Sequence, residues 1–160
     1  MEVILICIVI ALALFISAYI TKRRFGLLGL ALAAGSILSD IWGYTAGLVA
    51  SFFGLPSGPV TSAAILAIII LLPAGILLLH GYTYRTLIGR VIGASLFTLL
   101  ALAFLVEPLG HVLNLSGYSA DAYNWLSGNR TVIIGFGLII AVIDLFLTKP
   151  AHLSDRRRTR

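Results

Sequence analysis

The chain has 160 residues, of which 60% are hydrophobic and 11% are charged, with a mean hydropathy of +1.09 and a net charge of +5. A soluble domain carries about 45–50% apolar and about 25% charged residues, so this composition excludes the soluble globular class. The positive charge lies in short segments between long apolar runs, which predicts an all-α integral membrane protein embedded in a lipid bilayer; nucleic acid is not an expected partner.

Five apolar segments predict five transmembrane helices in one helical membrane domain over residues 1–148. The first, about 3–20, ends at the basic sequence TKRRF. The second, about 25–53, is longer than the ~20 residues that an upright span needs, and the turn sequence GLPSGP follows it. The other predicted spans cover about 60–79, 87–106 and 131–147, and residues 149–160 form a basic tail.

The segment between the fourth and fifth spans predicts a short amphipathic helix at about 119–127. The sequence YSADAYNWLSG places Tyr118, Trp125 and Leu126 on one helical face. Ser119 is an expected N-cap, and Gly128 stands past the helix end. We expect this helix to lie on the outer membrane surface with Trp125 at headgroup level, the alternative being a lid over a site.

The distribution of basic residues predicts the orientation. If all five segments cross, ten of the eleven Lys and Arg residues lie on one side, and Arg130 alone lies opposite. The positive-inside rule then places the N-terminus outside and the C-terminus in the cytoplasm, in the inner membrane of a cell, with anionic lipid at the basic tail. The ten residues are Lys22, Arg23, Arg24, Arg85, Arg90, Lys149, Arg156, Arg157, Arg158 and Arg160.

Small residues and one proline mark predicted packing and bending positions. Gly43 and Gly47 form one small-xxx-small pair, and Gly89 and Gly93 form another; such pairs permit the close approach of a neighbouring helix. Pro73 lies inside the third span, where a proline removes a backbone hydrogen bond, so a kink or hinge is expected there.

Asp40, in the sequence SILSDIWGY, is the main candidate for function. It lies about midway along an apolar run, Phe25 to Leu55, that contains no Lys or Arg. A charged side chain at mid-bilayer costs about 2.5–3.5 kcal/mol on insertion scales. Asp40 could be protonated and bonded to Ser36, Tyr44 or a Ser or Thr on another helix, or it could line a water-filled cavity that exchanges protons or binds a cation. Alternatively, the helix could break, with Ser39 or Asp40 capping its second half.

Among these alternatives, we expect a local break or strong tilt near Asp40 to Gly43, with Asp40 facing protein and not lipid. Asp144, near the end of the fifth span, is expected to form an interfacial pair with Lys149.

No local pattern predicts catalysis or metal binding. His80, His111 and His152 are far apart, and none has a carboxylate or a second histidine at helical spacing. The sequence contains neither a phosphate-binding glycine loop nor a nucleophile elbow. We therefore predict no enzyme, no catalytic residue, no metal and no cofactor.

The layout of the first four segments resembles that of the colicin V production protein family. The residues that carry the likeness are KRRFG at 22–26, the long Gly- and Ala-rich second segment, and GRVIGASLFTLLAL from Gly89 onward. The resemblance covers roughly residues 1–106 and implies a short multipass protein of the bacterial inner membrane with a role in export or envelope homeostasis. No functional residue is transferred from it.

Two functions are consistent with these features. The first is a membrane scaffold or accessory subunit that forms a homo-oligomer or packs against a partner subunit through its small-residue faces. The second is a small proton- or cation-coupled transporter or channel component that uses Asp40.

Overall fold

In the computed structural model, the described residues (2–52, 54, 56, 58–79, 84, 86–110 and 118–147) form helices and no strand. This confirms the predicted all-helical class for that part of the chain; the basic tail lies outside it. A 3-10 turn at Gly43–Thr45 joins the second and third helices. The α-helices are α1 (Glu2–Thr21), α2 (Phe25–Trp42), α3 (Ala46–Phe52), α4 (Pro59–Leu79), α5 (Leu87–Gly110), α6 (Tyr118–Gly128) and α7 (Arg130–Phe146).

Three helical segments of the described chain are long and apolar enough to cross a membrane: Phe25–Thr45, Pro59–Leu79 and Leu87–Gly110. A fourth span is present if α6 and α7, which meet at an angle of 58°, cross together as one bent helix. The described apolar part of α1, Cys7–Thr21, is shorter than a span. The fold is therefore that of a helical protein with three or four candidate membrane spans.

The second apolar segment is broken, as expected, but the break lies just beyond Asp40. The α-helical hydrogen bonds of α2 continue to Trp42, and the chain then tightens into the 3-10 turn before α3 begins at Ala46. The hydroxyl of Thr45 donates to the carbonyl of Trp42 at 2.9 Å across this turn. Because Ser39 and Asp40 lie within α2, the alternative that they cap a second half-helix is wrong.

Helices α2 and α5 occupy the centre of the bundle. α2 packs against α4, α5 and α7, and α1 packs chiefly against α5. The largest fully buried side chains all belong to these two central helices. They are Phe25, Leu28 and Leu32 of α2 and Phe97, Leu100 and Leu105 of α5.

The closest helix crossing occurs at Gly35 of α2. A Cβ atom at this position would collide with the backbone carbonyl of Ile70 in α4. In lipid, van der Waals packing at such small residues drives helix association, because burial from water contributes little between helices. Gly35 was not among the glycines singled out from the sequence, yet it sets the contact between α2 and α4.

The alternating helices bring polar residues together at two opposite ends of the bundle. We call one the basic end, which contains Arg23, Arg24, Tyr84 and Asp144. We call the other the cleft end, where α2 and α5 finish and α4 and α7 begin.

Candidate functional site

The cleft end contains an open cavity of about 250 Å³ between α2, α4, α5 and α7. Its polar lining comes from one face of α2 and from the ends of α5 and α7, and its apolar lining comes mainly from α4 and α5. The lining residues are Ser36, Ser39, Asp40, Gly43, Leu66, Ile70, Phe104, Glu107, Pro108 and Arg130.

Ser39 is a buried polar side chain that lines this cleft without a partner. It is 8% exposed, and its hydroxyl forms no hydrogen bond within the described part of the chain. Hydroxyls inside helices usually bond to the carbonyl one turn earlier, as Ser17 does to Ala13 at 2.6 Å and Thr98 to Ala94 at 2.8 Å. The hydroxyl of Ser39 therefore remains available to a group in the cleft.

Asp40 lies at the lateral rim of the cleft. Its carboxylate is exposed and forms no hydrogen bond or ion pair with any described residue. At 3.6 residues per turn, Ser36 and Ser39 flank Asp40 on one side, whereas Ile37 and Ile41 flank it on the other. The serines line the cleft, and the two isoleucines are 60% and 65% exposed on the outer surface of the bundle.

An ion pair joins the ends of α5 and α7 at the cleft. The guanidinium of Arg130 lies 2.6 Å from a carboxylate oxygen of Glu107, and both side chains are partly exposed. The Nε atom of Arg130 is buried and has no hydrogen-bond partner among the described residues. Together with Asp40, the pair leaves the cleft with a formal charge of −1 and with one carboxylate that no described cation neutralises.

The structure brings together only some of the predicted site residues. Ser36 and Asp40 both line the cleft, whereas Tyr44 is 95% exposed in the 3-10 turn and is not part of it. Sequence reasoning did not assign Glu107 and Arg130 to a site. The sequence feature that could have indicated them is their position, since Glu107 directly follows the fourth predicted span and Arg130 directly precedes the fifth.

The predicted packing glycines have different surroundings. An added Cβ at Gly47 would meet nothing within 4 Å, and one at Gly43 would meet only a side-chain atom of Leu66 at 3.8 Å. At Gly93, and in part at Gly89, the nearest atoms belong to the ring of Tyr84. A face open to a partner at Gly43 and Gly47 remains a prediction, and the other pair seats an aromatic ring.

The remaining predicted positions lie away from the cleft. Pro73 lies inside α4, which is helical on both sides of it, so a hinge there stays a prediction. α6 contacts α5 through Tyr123, whose hydroxyl donates to the carbonyl of Val106 at 3.3 Å. Trp125 is 62% exposed and Leu126 is half-buried, while the side chain of Tyr118 lies outside the described residues.

At the basic end, Tyr84 and Asp144 hold the start of α2. The backbone N–H of Gly26 donates to Asp144 Oδ2 at 2.9 Å, and that of Phe25 donates to the Tyr84 hydroxyl at 3.2 Å. The Tyr84 hydroxyl is itself hydrogen-bonded to Asp144. Burial raises the pKa of Tyr84 to about 12, and the nearby charge of Asp144 adds to this increase. Lys149, the predicted partner of Asp144, lies outside the described residues.

Two arginines complete the basic end. Arg23 donates from Nε to the carbonyl of Leu78 at 2.9 Å and from a terminal nitrogen to that of Leu79 at 2.6 Å. These bonds satisfy carbonyls that the last turn of α4 would otherwise leave without a helical partner. The guanidinium carbon of Arg24 lies 5.7 Å from the centre of the Tyr84 ring, a cation–π distance. These contacts attach Arg23 to the end of α4 and place Arg24 against Tyr84.

The described residues contain no group of three or more His, Cys, Asp or Glu side chains that could hold a metal ion. What the cleft offers instead is two carboxylates, one of them paired with an arginine, and two hydroxyls beside apolar walls. Comparisons with protein-family models, curated proteins and solved structures found no match to this chain.

Proposed function

We propose that this protein is a small multipass protein of the inner (cytoplasmic) membrane that takes up a proton or a cation at Asp40, as a transporter or channel component. The single observation that carries this proposal is the Asp40 carboxylate, which lines a polar cleft and has no partner among the described residues. The role in export or envelope homeostasis implied by the colicin V production family is compatible with it.

Electrostatics supports a cationic ligand. Two opposite unit charges 4 Å apart attract by about 4 kcal/mol at an effective dielectric constant of about 20. That energy is at least as large as the cost of Asp40, because a carboxylate costs roughly 2.5–3.5 kcal/mol at the centre of a span and less toward its end. A bound cation would therefore offset the penalty of Asp40, which the described residues leave uncompensated.

The charge balance of the cleft favours a cation at Asp40. Arg130 and Glu107 form an ion pair and together add no net charge, so the carboxylate of Asp40 supplies the net charge of the described cleft. The hydroxyls of Ser36 and Ser39 add oxygen acceptors beside Asp40. The polar side of the cleft therefore combines acceptors with a net negative charge.

Ion flux into proteoliposomes tests the proposal. We expect the wild-type protein to support proton or monovalent cation flux, and we expect Asp40→Asn to reduce it to the level of empty liposomes. Asp40→Glu should retain flux because it keeps the charge. Asp121→Asn is the matched control, since Asp121 is an exposed carboxylate on α6 outside the cleft. Flux that is equal in the wild type and in Asp40→Asn would contradict the proposal.

A second candidate function is the scaffold or accessory subunit. The observation that favours it is the space at Gly43 and Gly47, where an added Cβ would meet, among the described residues, only a side-chain atom of Leu66 at 3.8 Å from Gly43. Cross-linking in native membranes should then capture a homo-oligomer or a partner subunit through cysteines placed at these positions. Recovery of the monomer alone would count against this role.

A further inference from the structure

At Asp40 the cleft adjoins exposed apolar surface of the bundle, and such surface contacts lipid in a membrane. Asp40 stands between the cleft-lining serines and the exposed side chains of Ile37 and Ile41 on the same helix. No described side chain closes the cleft by bonding to Asp40 on this side. A ligand could therefore reach the carboxylate from the bilayer as well as from water.

Asp40 lies nearer to one membrane surface than to the opposite one. The candidate span Phe25–Thr45 ends five residues after Asp40, which is about 7–8 Å along a helix at 1.5 Å per residue. Since one leaflet contributes about half of the roughly 30 Å of hydrocarbon, Asp40 lies about midway between the midplane and the headgroups of that leaflet. A lipid headgroup needs a smaller displacement to reach this depth than to reach a carboxylate at the midplane.

The polar groups of the cleft match a zwitterionic headgroup. The Asp40 carboxylate and the hydroxyls of Ser36 and Ser39 are acceptors for a primary ammonium group, which has three donors. Arg130, which also lines the cleft, has a side chain that is 31% exposed, and guanidinium groups bind phosphate well. Ser39, which is 8% exposed and has no hydrogen bond among the described residues, is independent evidence that the cleft is shaped for a polar group.

The size of the cleft suits a headgroup and not a whole lipid. Its 250 Å³ lies below the roughly 300–1,000 Å³ of pockets that enclose drug-sized ligands. The acyl chains would remain outside, against the exposed apolar side chains next to Asp40.

We infer that the cationic ligand of the cleft is the headgroup of an aminophospholipid, with its ammonium group at Asp40 and its phosphate toward Arg130. This inference rests on the proposed function in one respect: Asp40 must be the group that binds the cation. It adds the identity of the ligand and its entry from the membrane. A quaternary ammonium headgroup lacks N–H donors, so it should bind less well.

Binding of short-chain lipids to the detergent-purified protein tests this inference. The probes are short-chain phosphatidylethanolamine, phosphatidylcholine and phosphatidylglycerol, and soluble phosphoethanolamine, measured by native mass spectrometry and by the shift in thermal unfolding midpoint. Phosphatidylethanolamine should bind tightest. Loss of one charge-assisted hydrogen bond corresponds to about tenfold in affinity, which is the decrease we expect for Asp40→Asn.

Two variants separate binding from folding. Asp40→Glu should keep the preference for phosphatidylethanolamine, and Asp121→Asn should leave all affinities unchanged. Equal affinity for the three lipids, or a preference that survives in Asp40→Asn, would overturn the inference. Phosphoethanolamine that binds as tightly as the lipid would show that the ligand is a soluble amine, and the membrane source would be refuted.

The flux experiment keeps this inference distinct from the proposed function. Flux that depends on Asp40, combined with no lipid preference, would refute the headgroup ligand while the transport function stands. Lipid binding that depends on Asp40, combined with flux that does not, would refute transport while the headgroup site stands.

Discussion

The two ends of the bundle use the same kinds of residue in opposite ways. At the basic end, the carboxylate of Asp144 accepts the backbone N–H of Gly26 and bonds to Tyr84. At the cleft end, the carboxylate of Asp40 bonds to nothing in the described chain. A bonded acid stabilises the fold, whereas an acid that the fold leaves available can serve a ligand. The stability of this protein should therefore depend on one end and its activity on the other.

The largest effect should come from crowding the basic end. In Gly26→Ala, the added methyl group would lie 2.6 Å from the carbonyl oxygen of Ala141 and 2.9 Å from a side-chain carbon of Leu145. Overpacking of this kind costs about 1–3 kcal/mol, and we expect that loss in the free energy of unfolding in detergent. Gly47→Ala is the control, because its methyl group meets open space. Equal stability of the two variants would show that the basic end is not the tighter one.

Removal of each carboxylate compares the two ends directly. Asp144→Ala leaves the N–H of Gly26 and the hydroxyl of Tyr84 without this acceptor, which should lower the free energy of unfolding by about 1–3 kcal/mol. Asp40→Ala removes no described bond, so it should not lower the free energy of unfolding. Chemical denaturation of both variants in the same detergent measures the difference. A larger loss for Asp40→Ala would reverse the comparison.

The local features of this fold could be predicted from the sequence. The apolar runs identified the helical segments, and the charge pattern grouped Lys22 to Arg24 with Arg90 on one side. The length of the second run, together with Gly43, indicated a break, because no single upright span needs so many residues. The structure places that break at Gly43–Thr45 and puts Asp40 beside the cleft.

The contacts between distant segments could not be predicted in the same way. Gly26 and Asp144 are 118 positions apart, and nothing near either residue specifies the other. Tyr84 lies in a stretch that the sequence indicates only as a polar turn, yet its ring occupies the space above Gly93. Glu107 and Arg130 stand next to the ends of the fourth and fifth predicted spans, but their pairing depends on how α5 and α7 pack. Helix packing, which one sequence does not specify, decides all three contacts.

The smallest effect should be a pH dependence confined to the basic end. Burial raises the pKa of Tyr84 from 10.0 to about 12, so the folded protein holds this proton over a pH range in which the unfolded chain releases it. The raised pKa therefore contributes to the free energy of unfolding below pH 10, and this contribution is lost as the pH rises from 10 to 12. Tyr84→Phe keeps the ring above Gly93 but has no proton to lose. Between pH 9 and pH 12, the midpoint temperature of thermal unfolding should therefore fall more steeply for the wild type than for Tyr84→Phe. Parallel curves would mean that ionisation of Tyr84 is not linked to folding, and that the basic end is held by Asp144 and the backbone alone.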